Sequence, residues 1–129
     1  MITRRTGLTY SQIHKLNEHL PPESESSFQA AIIDLARLCH WKRIYHPWSS
    51  MHSAQGFPDL TLCKPPRLLF AEIKTTKGRV TSAQTGWLDD LSSCPGVEVY
   101  FCQRHNEWGI WRPADWDDIV AILQGKVPR

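Results

Sequence analysis

No apolar run in this 129-residue chain approaches the roughly 20 residues that a helix needs to cross a bilayer. The opening stretch, MITRRTGLTYSQIHKLNEHL, also lacks the apolar segment of a secretory signal, so the expected compartment is the cytoplasm, with no membrane partner. Cysteine is sparse. Cys39, Cys63, Cys94 and Cys102 form no C-x-x-C pair and match no zinc spacing, and in a reducing compartment they are expected to be core thiols. Repeats, low-complexity tracts and obvious linkers are missing as well. Neither sign of charge dominates: the net charge is only +2, so binding to a polyanion would depend on where the basic residues lie. What remains suits one compact domain over 1–129. With 41% hydrophobic and 22% charged residues it reads as globular, and it is large enough for a core without metal or disulfide staples.

The periodicity predicts a short helix over 9–20, where Tyr10, Ile13, Leu16 and Leu20 form an apolar stripe. A second helix is expected over 23–40, burying Phe28, Ile32, Leu35, Ala36 and Cys39. Residues 43–48 read as a strand ending at a sheet edge, because Pro47 cannot donate to a ladder. Residues 59–63 and 67–75 read as two strands around KPPR. A helix over 81–92 follows, with Leu88 and Leu91 inward. Then come a hairpin of 97–103 with 108–112 and a final helix over 113–124 stopped by Gly125. This order predicts an α/β fold, a mixed sheet flanked by helices.

The strand pair around KPPR carries charges that an apolar strand normally excludes. Side chains alternate between the faces of a strand, so Leu68, Phe70, Glu72 and Lys74 share one face, and Leu69, Ala71 and Ile73 the other. If the strands pair antiparallel with Leu68 opposite Cys63, then Leu69 meets Leu62 and Glu72 meets Asp59. Opposed like charges destabilise a sheet. Two readings follow. In one, the strands splay and the side chains are solvated. In the other, a hard divalent cation such as Mg²⁺ takes the two carboxylates as oxygen ligands.

The ordered set Glu25/Gln29, Gly56-x-Pro58-Asp59, Glu72-x-Lys74, Gly78-Arg79 and Gln84 resembles the VRR-NUC family of virus-type replication and repair nucleases, within the PD-(D/E)xK nuclease superfamily. The motifs cover about 25–84, within a core of about 23–103. The helices over 9–20 and 113–124 would be additions. The resemblance implies a restriction-endonuclease-like mixed sheet core and Mg²⁺- or Mn²⁺-dependent hydrolysis of DNA. It assigns the metal to Asp59, Glu72, the Ile73 backbone carbonyl and Glu25. Lys74 corresponds to the family's catalytic lysine, and Gln84 to a glutamine beside the active site. Small members of the family, found in phages and bacteria, are similar to dimeric resolvases. That implies a homodimer acting on branched DNA such as Holliday junctions. The alternatives are a nuclease on flap, nicked or plain duplex DNA, and a non-catalytic DNA-binding module.

Each residue also has a plainer role. Ser26-x-x-Gln29 fits a capping box that would leave Glu25 just outside its helix. Thr81-x-x-Gln84 fits another. Lys74 could simply pair with Glu72. Lys77, Gly78 and Arg79 form a candidate DNA-phosphate loop or an ordinary solvated one. Gly56 is expected to permit a turn before Pro58. The fragment R-H-N at 104–106 hints at an HNH nuclease, but no second histidine stands in a matching context, and it is set aside.

Overall fold

The computed structural model describes residues 24–47 and 54–126. The helix expected over 9–20 lies outside the described residues.

Helix α1 spans Glu25–Leu38. Its N-cap is Ser24, whose hydroxyl accepts the Ser27 N–H at 3.2 Å. This corrects the capping box expected at Ser26-x-x-Gln29: the cap falls two residues earlier, and Glu25 becomes the first helical residue, where the helix dipole favours a carboxylate. Strands β1 (Arg43–Tyr45), β2 (Leu60–Lys64) and β3 (Arg67–Ile73) pair antiparallel in sequence order. Cys63 faces Leu68, Leu62 faces Leu69, and the ladder ends at Leu60 with Ala71, in the register expected from the alternation. Helix α2 spans Ser82–Ser92.

The expected hairpin of 97–103 with 108–112 divides instead. Strand β4 (Val97–Glu98) joins β3 in parallel beside Leu68 and Leu69. Only β5 (Phe101–Cys102) and β6 (Glu107–Trp108) form a small antiparallel pair. Strand β7 (Ile110–Trp111) then returns to β3, parallel to it at Glu72 and Ile73. Gly109, at φ +71°, makes the bend that separates β6 from β7. The final helix also begins later than expected. A 3-10 turn at Pro113–Asp115 precedes helix α3, Trp116–Leu123.

The main core lies on the sheet face that carries Leu60, Leu62, Leu69, Ala71 and Ile73. It packs them against Phe28, Ile32 and Leu35 of α1 and Ile119, Val120 and Leu123 of α3. A smaller cluster of Leu88, Val99 and Ile110, with Phe70 and Val80, lies beneath α2. Helices thus cover both faces of a mixed sheet, consistent with a restriction-endonuclease-like α/β core. The expectation of core thiols holds for Cys39. Cys63 and Cys102 are half-buried and Cys94 is exposed. No helix among the described residues is long and apolar enough to cross a membrane.

Candidate active site

Beyond Leu60 and Ala71 the backbone ladder between β2 and β3 gives way to side chains. The Asp59 N–H donates to Glu72 Oε1 at 3.2 Å, and the Ile73 N–H donates to Asp59 Oδ2 at 2.9 Å. Each carboxylate therefore stands in for a carbonyl of the missing ladder. This brings Asp59 and Glu72 together as the register predicted, without splaying them apart: Asp59 is half-buried and Glu72 is 2% exposed. The splayed, solvated reading is excluded for this end of the pair.

The other Glu72 oxygen accepts the Gln84 side-chain amide at 2.8 Å and lies 3.7 Å from the Lys74 ammonium. Lys74 is itself buried. The capping box expected at Thr81-x-x-Gln84 is present, and Gln84 reaches Glu72 besides. Its Oε1 accepts the Thr81 N–H at 3.0 Å while Thr81 Oγ1 accepts the Gln84 N–H at 3.1 Å, a complete capping box. That box leaves the amide NH₂ to reach Glu72. The plainer role of Lys74, an ion pair with Glu72, is also present.

Burial and the neighbouring Asp59 carboxylate push the Glu72 carboxyl up to about 8, despite the opposing pull of Lys74. Glu25 lies at the rim. Its side chain is largely exposed, yet partial burial and then the Asp59 charge raise its carboxyl above the usual range, while Lys74 acts against them. Glu25 is thus in the electrostatic neighbourhood of both Asp59 and Lys74.

The donors are of one chemical type. Asp59 and Glu72 supply carboxylate oxygens. A strand residue's N–H and C=O leave the same edge, so the Ile73 carbonyl faces the edge on which its N–H meets Asp59. Hard oxygen donors with an excess of negative charge fit Mg²⁺ or Mn²⁺ rather than a soft ion. A second group, Cys102, His105 and Asp115, also brings ligand atoms within 4.8 Å of one another. There, however, Asp115 Oδ1 takes Cys102 Sγ (3.1 Å) and Arg104 Nη1 (2.7 Å), while Oδ2 takes His105 Nε2 (2.7 Å) and the Arg112 N–H (2.8 Å). Both oxygens are saturated by internal donors, and the cluster reads as a buried ion-pair knot.

The loop before β2 is strapped onto α2, which fixes Asp59. Trp87 Nε1 donates to the Gln55 carbonyl at 3.2 Å, and the Phe57 ring meets Trp87 edge-on at 5.0 Å. Gly56, at φ +82°, passes so close to α2 that a Cβ there would stand 2.5 Å from the Ala83 carbonyl carbon. An open hollow of about 490 Å³ lies between this loop and Gln84, with Asp59 in its wall. A larger one, about 640 Å³, lies beside Asp115 and α3 and is lined by none of the site's carboxylates.

After β3 the chain turns through Thr75–Gly78, with the Gly78 N–H bonded to the Thr75 carbonyl at 3.2 Å. Lys77 on this turn and Arg79 just after it are exposed. Gly78 has a packing role: a Cβ there would lie 3.3 Å from Lys74 Cδ.

The sequence reading missed Arg112 and Glu107. The Arg112 guanidinium forks onto Glu107, with Nε to Oε1 at 3.0 Å and Nη2 to Oε2 at 3.1 Å, and Nη1 donates to the Thr75 carbonyl at 2.7 Å. Burial acts upward on the Glu107 carboxyl, but the Arg112 hydrogen bonds hold it below the usual range.

Against known proteins, residues 9–106 match the family model described as the VRR-NUC domain. No curated protein and no solved structure matches the chain.

Proposed function

The chain belongs to the VRR-NUC domain family and is a nuclease by that membership; from this premise we propose that it is a divalent-metal-dependent DNA endonuclease that prefers branched DNA. The observation that carries the metal and the chemistry is the closed pair Asp59–Glu72, tied by reciprocal bonds to the other strand's backbone, with Lys74 and Gln84 on the second Glu72 oxygen.

Asp59, Glu72 and the Ile73 carbonyl would hold Mg²⁺ or Mn²⁺, with Glu25 approaching from the rim. When bound, the ion supplies positive charge against the scissile phosphate and makes water more acidic. Glu72 is kept in place by three contacts, so its carboxylate is preorganised. Lys74 is held in a dry setting beside it, where it can orient or help deprotonate the attacking water and stabilise charge building on the phosphate. Gln84 fixes the Glu72 rotamer. Lys77 and Arg79, exposed just downstream, would meet flanking DNA phosphates.

The branched substrate rests on the likeness of small VRR-NUC members to dimeric resolvases. Two copies on a two-fold axis would present two sites to a symmetric four-way junction. The test is incubation of the protein with labelled four-way, flap, single-stranded and linear duplex DNA, in Mg²⁺, Mn²⁺ or EDTA, beside Lys74→Ala. Paired symmetric nicks in the four-way junction are expected, lost with EDTA and reduced at least about 100-fold in the variant. Preferential cutting of another form would move the substrate. Binding to DNA with no variant-sensitive cutting in either metal would leave a non-catalytic module.

A further inference from the structure

We infer that Arg112 is a positioning residue for catalysis: it clamps the Thr75–Gly78 turn against Lys74 and so fixes the lysine's aim. The inference rests on the nuclease reading above, and it concerns a segment downstream of the residues that match the family.

Three contacts define the clamp. First, Arg112 Nη1 donates to the Thr75 carbonyl, the same oxygen that accepts the Gly78 N–H and closes the turn; a longer contact reaches the Thr76 carbonyl at 3.4 Å. Second, the turn lies against the lysine stem: a Cβ added at Gly78 would stand 3.3 Å from Lys74 Cδ, closer than ordinary packing allows. Third, the residue before Arg112 holds the lysine's own backbone: the Lys74 N–H donates to the Trp111 carbonyl at 3.0 Å. The lysine is thereby gripped at its main chain by β7 and along its stem by a turn that Arg112 secures.

The arginine is itself rigid. Its fork onto Glu107 fixes the guanidinium plane, and its own N–H is bonded to buried Asp115. The His105 ring lies between the two carboxylates. Its Nε2 lies 2.7 Å from Asp115, and Nδ1 approaches Glu107 outside hydrogen-bond geometry.

The molecule contains its own control. At the opposite end of β3, Arg67 repeats the arrangement: it forks onto Glu98 at 2.8 and 2.7 Å and donates to the Ile122 carbonyl at 3.0 Å. A purely structural arginine should behave alike at both ends. The experiment compares Arg112→Gln, Arg112→Lys and Arg67→Gln in the full chain, each below its own melting temperature. The readouts are single-turnover cleavage at saturating DNA with Mn²⁺ and hydrogen exchange of the Gly78 amide without DNA. Arg112→Gln is expected to slow cleavage about 10–100-fold, the scale of a small misplacement. It should also speed Gly78 exchange at least about 10-fold. Arg112→Lys should restore only part of the rate, because an ammonium cannot fork onto Glu107 and hold the carbonyl at once. Arg67→Gln should lose stability but change neither readout.

Unchanged Gly78 exchange in Arg112→Gln would overturn the clamp. Equal slowing by Arg67→Gln, or full rescue by lysine, would overturn its catalytic consequence. If the wild-type chain cuts no DNA, the nuclease reading fails on its own arm, and the exchange arm still decides whether Arg112 holds the turn.

Discussion

Glu72 bears the largest charge conflict in the site, and its titration makes that conflict measurable. Its carboxyl is pushed up to about 8 in the folded chain, against an ordinary value of 4.5. The folded state therefore binds more protons than the unfolded state between these values, and metal-free stability falls as pH rises through that window. The full loss is on the order of a few kcal/mol. Melting in EDTA from pH 5 to 9 should show this fall, and Glu72→Gln should flatten it. A divalent ion should restore stability most at the alkaline end. A wild-type curve that stays flat through pH 8 in EDTA would contradict the buried-carboxylate account. The charged residues of this site were legible in the sequence because charge in an apolar strand is costly and stands out. Arg112 was not, because an arginine at the end of a predicted hairpin looks like any solvated one, and its Glu107 partner falls in that hairpin's loop, RHNE.

The elements that aim these residues are held by close approaches that tolerate little change. Gly56 combines φ +82° with a Cβ position 2.5 Å from Ala83 backbone, which has no side-chain freedom to yield. Gly56→Ala should cost on the order of 2–4 kcal/mol by chemical denaturation, with cleavage reduced further because the strap carries Asp59. A variant as stable as wild type would show that the loop and α2 are not so tightly joined. The β2–β3 register was readable from centring the pair on the two prolines of KPPR, since alternation alone would also allow a two-residue slip. The partners of 97–112 were not. Alternation says which face a residue takes but not which strand it joins, so a chain that leaves β5–β6 at Gly109 to complete β3 has the same pattern as a plain hairpin. Helix α1 was legible as an element, but its cap was not, because Ser24, Ser26 and Ser27 all suit a cap chemically.

Across the whole molecule, a net charge of +2 leaves DNA affinity to local groups. Lys77 and Arg79 stand exposed beside the site. Replacing either by Ala should flatten the plot of log affinity against log salt by about 0.9, with little change in stability. A slope unmoved by the double variant would place the DNA path elsewhere. The closure of β3 also bears on the order of events during synthesis. Arg112 lies 37 residues beyond Thr75. A nascent chain that has emerged only through Gln103 already carries Asp59, Glu72 and Lys74, yet the edge of β3 beside them is bare until β7 arrives. A bare edge is a template for mispairing. Competence to cut DNA is therefore expected late and abruptly, when the ribosome has released Arg112, rather than when the last carboxylate is made.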